Sequence, residues 1–237
     1  ARDIQLSLLP QRIPDFAGYD IAGQSIPAEE VGGDIFDLIE VAPNILGIAV
    51  GDASGHGLPA ALQARDVVTG LRMGVEKDLK ITAVMRRLNY VIHRSGLTSR
   101  FVSLLFAELE AEGYLTWSNA GHEPGLILRE DGSLESLGST GIVMGPLEDA
   151  EYGRRMVHLA FGDTLVMYSD GIVERVDSGG DEEFGLNRLE GEIRGALDRG
   201  SSAREICSKV LERLRDFGDG APWADDVTLL VIRRLPA

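Results

Sequence analysis

The chain has 237 residues, of which 44% are apolar and 26% charged, a composition typical of a globular domain with a sizeable core. Its formal net charge of −15 disfavours binding to nucleic acid or to an anionic membrane surface. No apolar stretch reaches the roughly 18 residues of a membrane span, and the single cysteine, Cys207, excludes an internal disulfide. We therefore expect a cytoplasmic protein without nucleic-acid or membrane contacts.

The first half of the chain predicts one helix end, three strands and two further helices. Residues 1–9 are predicted to be the end of a helix that Pro10 and Pro14 terminate. Residues 1–14 would then be the end of an N-terminal linker helix, or this helix packs on its own domain. Strands are expected over residues 19–26, 35–41 and 45–50, the last being a continuous apolar run that indicates burial on both faces. A helix should follow Pro59, and apolar residues at helical spacing predict another over residues 81–93.

The second half of the chain alternates strand signals with one clear helix start. Strands are predicted over residues 101–109, 114–118, 126–128, 164–168 and 227–232. The segment Ser202-Ala203-Arg204-Glu205 has the pattern of a capping box and predicts a helix that follows it. Groups of strands separated by helices favour two packed sheets with helices outside, and we expect residues 15–237 to form one domain.

Four acidic clusters lie beside predicted strands. They are Val31-Gly32-Gly33-Asp34, Gly51-Asp52-Ala53-Ser54-Gly55-His56-Gly57, Ser169-Asp170-Gly171 and Ala224-Asp225-Asp226-Val227-Thr228. Each cluster alone is an ordinary turn sequence, but aspartates at several strand ends can converge in space. Converging carboxylates repel one another unless a cation lies between them, and all-oxygen sites suit Mg²⁺ or Mn²⁺.

Asp52 is the natural bridging ligand between two such cations. It directly follows a buried strand, and the small residues after it leave room for ions and water, while Ala53 can offer its backbone carbonyl. Asp34 would lie on one side of Asp52, and Asp170 and Asp225 on the other. Two metals about 3.5–4 Å apart can activate a water molecule and stabilise phosphoryl transfer.

The order of the motifs resembles that of the SpoIIE/RsbU-type serine phosphatases, a branch of the metal-dependent PPM phosphatase superfamily. The resemblance covers essentially the whole chain, although each motif alone is weak. Besides the four clusters, the matching stretches are Ala1-Arg2-Asp3-Ile4-Gln5 with Leu8-Leu9-Pro10, Pro27-Ala28-Glu29-Glu30, Ser118-Asn119-Ala120-Gly121-His122-Glu123-Pro124, Ile172-Val173-Glu174, Phe184-Gly185 and Leu229-Leu230.

This resemblance implies an αββα sandwich, an α+β fold in which two mainly antiparallel sheets are flanked by helices. It also implies two Mn²⁺ or Mg²⁺ ions held by Asp34, Asp52, the Ala53 carbonyl, Asp170 and Asp225, the aspartates being catalytic through the metals. For Asp226 two roles stay open, a further metal ligand or an acceptor for nearby backbone hydrogen bonds.

Two histidines in Gly-His contexts, His56 and His122, also keep two roles open. They either position phosphate or protonate the leaving serine oxygen, or they bond loop backbone. The phosphate-binding arginine and the acid histidine of better-known PPM phosphatases have no counterpart that we can place. His56 lies four residues after Asp52 rather than two, so the acid role is not transferred to it.

The resemblance implies a protein serine/threonine phosphatase that acts on a phosphorylated STAS-type anti-sigma-factor antagonist in a bacterial partner-switching pathway. It further implies an upstream sensory domain and a homodimer, and the start at Ala1, without an initiator methionine, favours a longer chain. Two alternatives remain. One is a non-catalytic binding module of the same fold. The other is a nucleotide cyclase, suggested by Gly32-Gly33-Asp34-Ile35-Phe36, in which isoleucine replaces an expected acidic ligand.

Overall fold

A computed structural model describes residue 10 and residues 12–76, 80–95 and 101–236 of the chain. The described strands are β1 (Tyr19–Ile26), β2 (Asp34–Ala42), β3 (Ile45–Ala53), β4 (Val102–Glu110), β5 (Tyr114–Ala120), β6 (Gly125–Leu128), β7 (Leu134–Leu137), β8 (Arg155–His158), β9 (Thr164–Tyr168) and β10 (Val227–Arg234). The described helices are α1 (Gly57–Glu76), α2 (Ile81–Arg94), α3 (Asp170–Val173), α4 (Gly185–Leu197) and α5 (Ala203–Phe217).

These strands form two antiparallel sheets. The first has the order β1-β10-β9-β6-β7, and the second has the order β2-β3-β4-β5-β8. Since β10 lies between β1 and β9, the last strand in sequence pairs with the first.

Three apolar clusters separate four layers. Phe36, Val50, Leu105 and Met167 belong to the cluster that lies between the two sheets. A second cluster joins β2, β3 and β4 to α1 and α2, and a third joins β1, β9 and β10 to α4 and α5. The layers are therefore helix, sheet, sheet and helix, and the predicted αββα fold is confirmed.

Most predicted elements lie where the apolar patterns put them. The strand predicted over 19–26 coincides with β1, the helix predicted over 81–93 with α2, and Ser202 caps α5 with both hydrogen bonds of a capping box. Cys207 is buried as expected, and burial raises the pKa of its thiol to about 12. The helix predicted at the start of the chain lies in residues 1–9, outside the described residues.

Four described elements were not predicted. They are the short edge strands β7 and β8, the single turn α3, and α4.

In the described ranges of the chain, no helix combines the length and apolar character that a bilayer span requires.

Candidate metal centre

Asp34 and Asp52 lie side by side at one end of the second sheet. Asp34 is the first residue of β2 and pairs in register with Asp52, the last residue but one of β3. Directly opposed residues of an antiparallel pair point to the same face of the sheet. The Ala53 backbone N–H also donates to the Gly33 carbonyl at 3.0 Å, which holds the loop before Asp34 against the end of β3.

The first sheet brings its own aspartates to the same end of the sandwich. Asp170 is the first residue of α3, two positions after β9, and Asp225 and Asp226 directly precede β10. The Ser169 N–H donates to the Thr228 carbonyl at 3.0 Å, so the end of β9 is fastened to the start of β10. Glycine is required at position 171 after Asp170, because a Cβ there would lie 2.1 Å from the Asp226 carbonyl oxygen.

Asp34 joins the two sheets. Its Oδ2 atom accepts a hydrogen bond from Ser169 Oγ at 2.8 Å and another from Thr228 Oγ1 at 2.5 Å. Ser169 Oγ in turn accepts from the Thr228 N–H at 2.9 Å. These contacts fix the distance between the two halves of the acidic cluster.

Asp226 holds the loop that carries the two glycines. Its carboxylate accepts from the backbone N–H groups of Ala28 at 2.8 Å, Gly33 at 2.6 Å and Asp34 at 3.3 Å. Backbone acceptance is therefore the role that these contacts show, while a ligand role for Asp226 stays a prediction.

Burial, and then the charges of neighbouring carboxylates, raise the pKa values of the clustered aspartates. Burial raises the pKa of Asp52 to about 7, with further contributions from the charges of Asp170, Asp225 and Asp226. Burial raises the pKa of Asp34 well above its ordinary value, although the hydrogen bond from Thr228 opposes the shift. The pKa of Asp170 is also raised, first by burial and then by Asp225.

The donors fit a hard divalent cation in kind, since they are carboxylate and carbonyl oxygens whose charges repel one another. A Cβ on Gly33 would lie 2.5 Å from the Ala53 carbonyl oxygen and 2.9 Å from Asp52 Oδ1, so glycine keeps the space between these donors open. Across the described ranges, no group of three or more His, Cys, Asp or Glu side chains is arranged to hold a metal ion by itself.

His56 and His122 differ completely in their surroundings. The His56 side chain is 86% exposed and its Nδ1 lies 3.2 Å from Glu29. His122 is buried, with Nδ1 2.8 Å from Ser103 Oγ and Nε2 3.1 Å from the Tyr168 carbonyl oxygen. Burial lowers the pKa of His122 to about 4, which makes it a poor proton donor at neutral pH.

Arg175 is a supporting residue that the sequence did not indicate. Its guanidinium is buried, donates to the carbonyls of Pro222 at 2.6 Å and Ala221 at 2.7 Å, and lies 4.9 Å from the Trp223 ring. It thus ties the segment after α3 to the loop that leads to Asp225. Ser169 and Thr228 were also missed as supporting groups, although both stand inside the acidic motifs.

The fold defines the class of protein. The SiaA-PP2C domain of Pseudomonas aeruginosa is similar with a TM-score of 0.82 and 21% identity, covering 98% of this chain and 93% of that one. The RsbU and RsbW domains of a Mycobacterium tuberculosis protein are similar with a TM-score of 0.75 and 27% identity, covering 94% of this chain and 61% of that one. The fold is that of PP2C-type phosphatase domains.

Sequence comparison defines the family within that class. Residues 43–235 match the family Stage II sporulation protein E (SpoIIE). The phosphoserine phosphatase RsbU of Bacillus subtilis (strain 168) is 30% identical over 240 residues, which cover 99% of this chain and 69% of RsbU. The chain belongs to the SpoIIE family. The predictions of family and of phosphatase class are confirmed, and the individual metal ligands stay predictions.

Proposed function

We propose that this protein is a metal-dependent protein serine/threonine phosphatase that hydrolyses phosphoserine or phosphothreonine. The observation that carries the proposal is the meeting of Asp34 and Asp52 from one sheet with Asp170 and Asp225 from the other, at strand ends that Ser169 and Thr228 join. The similarity to a phosphoserine phosphatase over 99% of the chain supports it.

Asp34, Asp52, Asp170, Asp225 and the Ala53 carbonyl would hold two Mn²⁺ or Mg²⁺ ions, with Asp52 between them. The ions would supply an activated water and would stabilise the charge that develops on the transferred phosphoryl group. The protein's own contribution is to fix the carboxylates: Ser169 and Thr228 orient Asp34, and Asp226 and Gly33 keep the adjoining loop close to Ala53.

The substrate that we propose is a phosphorylated STAS-type antagonist in a partner-switching pathway. We further propose a cytoplasmic location, an upstream sensory domain and a homodimer in the full-length protein, with residues 1–14 as the linker and residues 15–237 as the catalytic domain. The similarity to the phosphoserine phosphatase RsbU supports this context, and the chain spans 69% of the length of RsbU.

Phosphate release from a phosphoserine protein tests the proposal directly. We expect turnover with Mn²⁺ or Mg²⁺ and none after the protein is treated with a chelator. Calorimetric binding of two Mn²⁺ ions without turnover on any phosphoprotein would favour the alternative of a non-catalytic module. The family match is to SpoIIE and gives no support to the alternative of a nucleotide cyclase. Incubation with GTP and Mg²⁺ should therefore give no cyclic product.

A further inference from the structure

A serine outside all four acidic clusters lies in the same row as the proposed metal ligands. The strands β2, β3 and β4 are neighbours, and their register places Asp34 opposite Asp52 and Asp52 opposite Ser103. Directly opposed residues share a face of the sheet, with Cβ atoms about 5 Å apart. Ser103 therefore lies beside Asp52 on one face of the sheet, and the residue is only partly buried.

His122 fixes the position of this hydroxyl. The Nδ1 atom of His122 is 2.8 Å from Ser103 Oγ, and its Nε2 atom is 3.1 Å from the Tyr168 carbonyl oxygen. The His122 backbone is itself held by buried Asn119, whose Oδ1 accepts from the His122 N–H at 2.8 Å and whose Nδ2 donates to the His122 carbonyl at 3.1 Å. The imidazole therefore has little freedom to turn.

The carbonyl of Tyr168 determines which way these hydrogen bonds run. A carbonyl oxygen can only accept, so Nε2 of His122 must carry a hydrogen. Burial lowers the pKa of His122 to about 4, so the ring is neutral at pH 7 and Nδ1 has a lone pair. The Ser103 hydroxyl consequently donates its one hydrogen to Nδ1.

Ser103 can then act only as an acceptor toward Asp52. Its hydrogen is committed to His122, and the oxygen keeps lone pairs for a further partner. As a ligand of a cation Asp52 would be ionised and would have no hydrogen to give, so it would not be that partner. A water molecule beside Asp52 has the required donor.

We propose that Ser103 is a further catalytic residue, whose Oγ accepts a hydrogen bond from the water that attacks the phosphoryl group, and that His122 is its positioning residue. This inference rests on the proposed phosphatase function. The water oxygen forms the new bond to phosphorus as the bond from phosphorus to the Oγ atom of the substrate's phosphoserine breaks. One water proton stays on the released phosphate and the other goes to that leaving oxygen of the substrate. Ser103 itself forms and breaks no covalent bond.

Kinetics of Ser103→Ala and Ser103→Thr test the proposal on a phosphoserine protein with Mn²⁺. We expect Ser103→Ala to lower kcat about tenfold, the loss of one hydrogen bond to a reacting group. The KM and the Mn²⁺ dissociation constant from calorimetry should stay at wild-type values. Ser103→Thr retains the hydroxyl and should restore kcat, and Ser136→Ala, on the exposed face of β7, should match the wild type.

A second measurement needs neither metal nor turnover. Imidazole ¹⁵N spectra of the metal-free protein, with the His122 signals assigned by their loss in His122→Gln, should show hydrogen on Nε2 and an accepting Nδ1. The Nδ1 resonance should move in Ser103→Ala. A protonated Nδ1, or one that does not respond to Ser103→Ala, would overturn the inference.

The outcomes separate the two levels of the argument. A wild-type protein without turnover on phosphoproteins counts against the proposed function itself. An active wild type with an equally active Ser103→Ala variant removes the role of Ser103 and leaves the phosphatase intact. A weaker Mn²⁺ affinity that accompanies the loss of kcat would also overturn the inference, because Ser103 would then act on the ions.

Discussion

Buried aspartates occur in two settings in this molecule, and the settings differ in how the negative charge is balanced. Asp37 and Asp163 are almost fully buried and each is paired with an arginine, Arg72 at 2.8 Å and Arg129 at 2.6 Å. Asp34, Asp52 and Asp170 lie in the acidic cluster, and none of the ion pairs between described residues includes them. The fold can neutralise a buried carboxylate with its own side chains, but it does not do so for these three aspartates, which is the arrangement that the proposed cation site requires.

The largest effect that we expect comes from Asp52→Asn, which removes one repelling charge at constant shape. Turnover should fall at least about 100-fold, because a bound metal supplies several kcal/mol of charge stabilisation and about 1.4 kcal/mol is tenfold in rate. The thermal midpoint of the metal-free protein should nevertheless rise, since burial, and then the neighbouring carboxylates, raise the pKa of Asp52 and make its charge unfavourable in the folded state.

Phosphate release with Mn²⁺ measures the effect of Asp52→Asn on turnover. Scanning calorimetry in a chelator measures its effect on the thermal midpoint of the metal-free protein. Asp131→Asn, in an exposed turn, is the matched control and should change neither. A thermal midpoint for metal-free Asp52→Asn below that of the metal-free wild type would show that the charge of Asp52 does not destabilise the fold, contrary to the contrast with the arginine-paired aspartates.

The opposite effect on stability is expected from Arg129→Met, which removes the cation and leaves Asp163 buried. We expect the free energy of unfolding to fall by about 3 kcal/mol, as is typical when one partner of a buried ion pair is lost. Activity per folded molecule should be unchanged, because Asp163 precedes β9 whereas Asp170 follows it.

Urea denaturation of Arg129→Met gives the unfolding free energy. Arg65→Met, in an exposed pair with Asp66, is the control and should cost less than about 1 kcal/mol. Equal losses in the two variants would remove the distinction between buried and exposed pairs.

Gly33 lies so close to Ala53 that we expect Gly33→Ala to lower the phosphatase activity more than the stability of the protein. The new Cβ would lie 2.5 Å from the Ala53 carbonyl oxygen, so this donor or the loop must move. A displacement of about 1 Å in a catalytic arrangement can cost about 100-fold in rate. Gly191→Ala, in α4 with no atom near the added methyl group, should keep full activity; Mn²⁺-dependent turnover of both variants provides the check.

The smallest effect is a difference in pH dependence for the metal-free protein. Asp52 has a folded-state pKa of about 7 against an ordinary value of 3.8, so the folded state binds more protons between those values. Its contribution therefore makes the protein more stable as the pH falls from about 7 to about 4. His122 acts in the opposite sense, because its pKa falls from 6.5 to about 4 on folding.

Comparison of wild type with Asp52→Asn separates these two contributions, since both proteins retain His122. The stability of the wild type should approach that of the variant as the pH is lowered from about 7 to about 4. Thermal midpoints in a chelator at several pH values test this, and parallel curves would show that Asp52 does not titrate in this range.

The sequence predicted the elements whose apolar residues follow a clear period, and with them the aspartates at strand ends. The edge strands β7 and β8 escaped prediction because they are short and mostly exposed, which leaves no apolar alternation. The helix α4 escaped because it contains Gly191 and Gly195, and each glycine lowers helix propensity by about 1 kcal/mol.

The supporting groups of the site were harder to predict than the aspartates. Ser103 is 51 positions away from Asp52 in sequence, and only the register of β3 and β4 in the folded protein brings the two residues opposite each other. Arg175 bonds carbonyls of residues that are 46 and 47 positions away in sequence. Contacts of this kind depend on tertiary structure, and nothing in local spacing indicates them.

The central position of β10 in its sheet has a consequence for how the protein is made. β1 pairs with β10 over its whole length, and Asp34 receives its hydrogen bond from Thr228, 194 positions later. During synthesis the first strand must wait for β10 to leave the ribosome, and pairings of such long range form slowly. A nascent chain should therefore have no phosphatase activity until synthesis has passed β10, which prevents unfinished copies from acting on the substrate.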